Sequence, residues 1–146
     1  MSSILAGVTL INMYVQTVIL AVIKHSNKIL LTKRIDDNPD HHGLWQLPGG
    51  GLKFGERPID TLHREIREEL SAKVKEVTLI NYIDTKIANT WQGIFISYLC
   101  NLATPLEKVK LNDEASEWRL FEIEEIDYKK FPIFDGDVEV VKASLS

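Results

Sequence analysis

Three glutamates, Glu65, Glu68 and Glu69, crowd one short stretch of this chain, with a fourth acid, Glu56, and a glycine run, Gly49–Gly51, just upstream. In a helix, at about 100° per residue, the three would share an arc of roughly 100° on one flank. Like charges at helical spacing repel, each pair costing about 0.2 to 0.5 kcal/mol. Arg64 and Arg67 can neutralise part of that, and an isolated EIREE helix would read as a solvated, salt-bridged face. The glycine run and Glu56 change the reading. Carboxylates at a helix edge beside glycine-loop carbonyls are hard oxygen donors suited to magnesium or manganese.

The helix that would carry these acids is well signalled. Pro58 suits a first helical position, and Asp60 adds charge favoured near the positive end of the helix dipole. Ile59, Leu62, Ile66 and Leu70 recur at helical spacing and make one buried stripe, beside the acids rather than opposite them.

Gly50, Glu56, Arg64, Glu65, Ile66, Glu68 and Glu69 fall at the spacing G-x5-E-x7-R-E-U-x-E-E, with U a bulky aliphatic residue. This resembles the Nudix box at seven fixed positions. The resemblance departs at the end of the box, where Ser71 replaces a glycine and Ala72 replaces a larger apolar residue. That glycine would serve as a left-handed helix stop, so serine there costs on the order of 1 kcal/mol if the geometry is kept.

The resemblance implies an α/β chain, a Nudix-type α/β/α sandwich around a mixed β-sheet. It also implies a Mg2+-dependent (or Mn2+-dependent) hydrolase in which water attacks a phosphorus of a nucleoside polyphosphate. A polyphosphate repels an anionic nucleophile, so divalent cations must neutralise charge and lower the pKa of the attacking water. On the same resemblance Glu68 and Glu69 are the first choice as metal ligands, joined by the Gly49 carbonyl, and Glu65 is a ligand or the general base. Arg64 would orient a box glutamate, and Glu56 would assist at the metal or structurally.

The resemblance also implies one further acid from a loop outside the box, as metal ligand or base. Glu117, immediately before Trp118, matches a Glu-Trp pair of the MutT branch, with Glu114 as runner-up; either also reads as a surface charge. Arg34 matches a place for a phosphate or base contact and reads equally as a strand-end arginine. Phe131-Pro132 with Asp135 resembles the MutT-type FPxxN arrangement, whose last residue reads the base; Asp135 reads as well as a helix cap. Phe131, Phe134 or Trp91 offers a stacking face.

Ala88 stands where ADP-ribose hydrolases tend to have a proline about sixteen residues after the box, and the SQPWPFPxS array of the NADH group is missing. A nucleoside triphosphate pyrophosphohydrolase therefore leads, with nucleotide sugars or ADP-ribose as the alternative substrates. A nucleotide-binding sensor without turnover is the alternative class. An isoprenyl diphosphate isomerase needs a catalytic cysteine, and Cys100 sits in a strand-like run.

With 146 residues, 45% of them hydrophobic, the chain is the size of one domain with a real core. A formal charge of −4 with no basic block argues against long nucleic acid and leaves a small-molecule nucleotide as partner. The lone Cys100 excludes an internal disulfide and fits a reducing, cytoplasmic setting. Residues 4–23 carry no charge, yet Thr9, Asn12, Gln16 and Thr17 with many β-branched neighbours favour strand over membrane helix, and no basic segment precedes them as in a signal peptide.

Residues 1–12 read as an added strand, a frayed end or an interface piece, which leaves a homodimer open. Val15–Ile23 reads as a strand buried on both faces, turning at His25–Lys28 into a partner over Ile29–Leu31, with Thr32, Lys33 and Arg34 leaving the sheet. A loop holds His41 and His42, read as solvated or substrate-contacting rather than metal-binding. Leu44–Leu47 is a short strand, Lys75–Ile83 and Gly93–Cys100 are strands joined by a turn around Asn89, and Lys108–Glu117 is a loop. Trp118–Phe121 is a strand, Glu122–Ile126 a helical turn, and Asp135–Leu145 a last helix.

Overall fold

The computed structural model describes residues 2–5 and 8–146. Along the chain it forms β1 (Ser2–Leu5), β2 (Val8–Ile11), β3 (Tyr14–His25), β4 (Lys28–Arg34), β5 (Trp45–Gln46) and β6 (Gly49–Gly51). Then come α1 (Pro58–Leu70), β7 (Val74–Ala88), β8 (Trp91–Leu102), β9 (Ala115–Glu122), α2 (Ile123–Asp127) and α3 (Asp135–Ser144), with a 3-10 turn at Leu106–Lys108.

β3 is the spine. It runs parallel to β8 from Tyr14↔Trp91 to Ile23↔Cys100 and antiparallel to β6. It meets β4 only at the hairpin end, Lys24↔Ile29 and His25↔Lys28, so the two strands diverge toward the other end. β4 pairs with β5 and β9, and β7 with β8, which completes a mixed seven-stranded sheet.

Residues 19–23 are buried on both faces, as the unbroken apolar run requires. Ile19, Ala21 and Ile23 pack against Leu62, Ile66 and Leu70 of α1. Leu20 and Val22 pack on the opposite face with Val138, Val140 and Val141 of α3 and Ile126 of α2. The result is an α/β/α sandwich, each fully buried aliphatic side chain contributing about 1.5 to 3 kcal/mol.

Several boundaries differ from the sequence reading. Thr32–Arg34 do not leave the sheet: Thr32 is buried and pairs with Gln46 and Trp118, and pairing continues through Arg34. β9 begins at Ala115, so Glu117 lies in a strand rather than a loop. The glycine run is likewise a strand rather than an open loop. Asp135 does not cap α3, whose N-cap is Phe134. Within residues 1–12, β1 and β2 form a two-stranded sheet of their own; residues 1, 6 and 7 lie outside the described ones. Among the described residues no helix is long and apolar enough to cross a membrane.

Candidate active site

The site begins where β6 is squeezed between β3 and α1. A Cβ on Gly49 would lie 2.0 Å from the Ile19 carbonyl oxygen, and one on Gly50 would lie 2.5 Å from the Glu65 carboxyl. Only glycine lets the strand pass so close to both neighbours. The helix edge thereby reaches the strand. Glu69 Oε2 accepts a hydrogen bond from Gly49 N–H at 3.0 Å.

α1 starts at Pro58 behind Arg57, whose N–H donates to Asp60 Oδ2 at 3.0 Å. It ends at Ser71 in the left-handed conformation (φ 53°, ψ 39°), with Ser71 N–H donating to the Arg67 carbonyl. The serine therefore occupies the geometry expected of a glycine stop.

Arg64 organises the acids. Its guanidinium donates to both oxygens of Glu56 (2.7 and 3.0 Å), to Glu65 Oε1 (2.7 Å), to Glu68 Oε2 (3.2 Å) and to the Gly51 carbonyl (2.9 Å). Glu56 also accepts from Lys53 N–H and the Thr61 hydroxyl, so both its oxygens are occupied. The Arg64 guanidinium holds the Glu56 carboxyl down at about 2. Glu68 is largely exposed, its side chain at 47%.

Glu65 and Glu69 behave differently. Burial raises the Glu65 carboxyl against the pull of Arg64, with the charges of Glu68 and Glu114 adding to the rise. Burial, followed by the charge of Glu65, pushes Glu69 up to about 9, with Glu114 adding and Gly49 N–H opposing. Glu114 is thus the acid from outside the box that faces this pair. Glu117 instead accepts from Arg119 Nε at 2.7 Å within β9.

A cavity of about 690 Å³ includes Gly49–Gly51, Glu69 and Glu114 in its lining. Val18, Leu20, Phe95 and Trp91 supply apolar lining. Arg34, His41, Lys86, Phe134 and Asp137 line the same cavity. Cations lie over the Phe134 ring, Arg34 at 5.8 Å and Lys86 at 5.6 Å, with the His41 ring 5.5 Å away. Arg34 is held by Asp36 (2.5 Å) and Gln46 (3.1 Å).

Phe131 is elsewhere, stacked on Phe121 at 4.2 Å against the core. Asp135 is also elsewhere, 83% exposed and paired with Lys129. The acid of α3 that enters the cavity is Asp137, which the sequence reading missed. A signal was present, because Asp137 falls in helical register with Val140 and Val141, a carboxylate on the apolar stripe.

The donor set suits a divalent cation. Glu65 is buried, Glu69 is partly so, and their charges oppose each other, which a bound cation or a proton relieves. Among the described residues, however, no three acidic, histidine or cysteine side chains are gathered around one point. Glu65 and Glu69 form a pair, with Glu114 facing them.

A family profile described as the NUDIX domain matches residues 13–143. The chain is a Nudix hydrolase. Nucleoside triphosphatase NudI of Escherichia coli O139:H28 is 32% identical over 111 residues, covering 70% of this chain and 79% of that one, and the Shigella flexneri protein of the same name matches equally. Among solved structures, a MutT NUDIX hydrolase from Burkholderia pseudomallei superposes with a TM-score of 0.76 at 22% identity, covering 89% of this chain and 98% of that one. A NUDIX hydrolase from Nitrosomonas europaea gives 0.77 at 19% identity, covering 90% and 89%. These structures share the fold of this Nudix hydrolase, a family that generally uses divalent metal ions.

Proposed function

We propose that this Nudix hydrolase cleaves a nucleoside triphosphate by attack of water on a phosphorus of the polyphosphate chain, with Mg2+ as its cation. The observation that carries the reading is one cavity whose lining holds the acids Glu69 and Glu114 together with the cations Arg34 and Lys86 around the Phe134 ring. A molecule with a phosphate chain and a flat base fits that polarity. The name of the NudI relatives points to the same substrate class.

Glu65 and Glu69 would hold the cation, with Glu68, Glu114 and the Gly49 carbonyl as further oxygen donors. The cation supplies charge neutralisation and a more acidic water. Arg64 fixes Glu65 and ties it to the glycine strand, so the pair is positioned before substrate arrives. Arg34 and Lys86 supply positive charge to an incoming anion. Glu114, free of the Arg64 cluster, is the general base or a further ligand.

The test is turnover across a panel of nucleoside triphosphates, nucleotide sugars and ADP-ribose with Mg2+, with product analysis. Triphosphates should turn over best, and Glu69→Gln should remove activity while the fold is kept. Faster turnover of ADP-ribose or a nucleotide sugar would overturn the substrate class. Nucleotide binding without any hydrolysis would make the chain a sensor.

A further inference from the structure

Gln16 and Trp91 form a polar pair for which two neighbouring strands leave room. Gln16 stands on β3 opposite Gly93 of β8, two residues before Val18, which pairs with Gly51 of β6. The Trp91 ring folds along its own strand over Gly93, where a Cβ would collide with Cη2, and meets the Phe95 ring edge-on at 6.3 Å. A Cβ on Gly51 would likewise collide with the Gln16 amide nitrogen. Glycine at both positions leaves the two side chains the space they occupy.

Trp91 Nε1–H donates to Gln16 Oε1 at 3.0 Å, across a separation of 75 residues. An indole N–H only donates, so this bond fixes which end of the amide faces the ring: the oxygen is taken and the NH2 is turned the other way. That NH2 lies against Gly51, and Gln16, Gly51 and Trp91 all line the cavity. Among the described residues the NH2 has no acceptor. Gly51 also ties the amide to the acids. Its carbonyl accepts from Arg64 at 2.9 Å, and Arg64 holds Glu56, Glu65 and Glu68. The part of a nucleotide that meets carboxylates through a cation is its phosphate chain, whose ionised oxygens accept and do not donate.

Resting on the nucleotide reading above, we propose that Gln16 binds the polyphosphate chain, its Trp91-oriented NH2 donating to a phosphate oxygen. Being neutral, the amide adds a bond to the anion without drawing the carboxylates away from the cation. Trp91 is the positioning residue that keeps the donor end of the amide toward the substrate. The bond is made on binding and kept in the transition state, so it governs KM rather than kcat.

The experiment measures kcat and KM at saturating Mg2+ for whichever of ATP, CTP, GTP and UTP turns over fastest, in native protein, Gln16→Met and Gln16→Glu, with circular dichroism as fold control. Methionine is similar in shape and has no donor. Glutamate keeps an oxygen for the Trp91 indole and puts an acceptor where the NH2 stood. KM should rise roughly tenfold in Gln16→Met, the scale of a lost hydrogen bond to a charged group, and further in Gln16→Glu, with kcat within about twofold in both. A KM within twofold of native in either variant, or a kcat that falls by more than KM rises, overturns the assignment of Gln16 and leaves the hydrolase reading standing. If Gln16→Met does not fold, Gln16→Glu alone decides. Without turnover of any triphosphate the hydrolase reading fails by itself, and the calorimetric Kd for ATP in the three proteins is held to the same order; failure of ATP to bind the native protein overturns both readings.

Discussion

Arg64 and Glu56 meet as a two-pronged pair, Nε 2.7 Å from Oε2 and Nη2 3.0 Å from Oε1, clamping the loop before α1 to the helix. The same guanidinium reaches Glu65 and the Gly51 carbonyl. A lysine ammonium keeps the charge but has neither the planar geometry nor enough donors to replace this set. Arg64→Lys should therefore lower kcat about 10- to 100-fold, the usual effect of losing a group that orients metal ligands. Steady-state kinetics with circular dichroism as a fold control checks it. A change below twofold would mean that Glu65 finds its position without Arg64.

Ser71 offers a stability prediction at no cost to the site. Its left-handed φ of 53° is strained for a residue with a Cβ, and its side chain is exposed. Ser71→Gly should stabilise the protein by about 0.5 to 1 kcal/mol, or about 2 to 4 °C in Tm. Thermal unfolding decides. A lower Tm would mean that the glycine's extra freedom in the unfolded chain outweighs relief of the strain.

Glu114 and Glu117 separate cleanly in the structure. Glu114 raises the pKa of both Glu65 and Glu69 through its charge, whereas Glu117 is bonded to Arg119. Glu114→Gln should reduce kcat by about 100-fold or more if it acts as the base, and Glu117→Gln should stay within about twofold. The reverse order, measured with one substrate under one set of conditions, would return the role to Glu117.

The sequence was most legible where function and local geometry coincide. Pro58, the stripe Leu62–Ile66–Leu70 and the glutamate spacing all follow from helical periodicity, and each stands where that periodicity puts it. What periodicity cannot supply is which of two nearby acids crosses a gap in space. Glu114 and Glu117 are three residues apart, and Asp135 and Asp137 two; the choice depends on where β9 begins and how α3 docks on Leu47, both set by distant pairing. Strand ends were misjudged for the same reason. Thr32–Arg34 look polar enough to be loop, yet β5 and β9 hold them in the sheet.

Glu69 and its neighbours make a prediction about pH and metal together. Burial raises Glu69 from 4.5 to about 9 and Asp137 from 3.8 to about 7, and it raises Glu65 as well. Between those values the folded chain binds more protons than the unfolded chain, so stability must fall as pH rises. The acids with lowered values, Glu56, Asp36, Asp60 and Asp135, act in the opposite sense, but only as pH drops below the unfolded carboxylate range. From about pH 5 to 9 the raised groups govern, and the Tm of chelator-treated protein should decline steadily. Mg2+ or Mn2+ should reverse this, because a cation binds the deprotonated pair; at about a hundred times its dissociation constant it adds about 2.7 kcal/mol. The cation-induced shift should therefore be larger at pH 8.5 than at 5.5, and Glu69→Gln should lose most of both the slope and the shift. A native Tm flat across this range, or a cation shift of equal size in Glu69→Gln, would show that Glu69 carries neither the buried charge nor the metal.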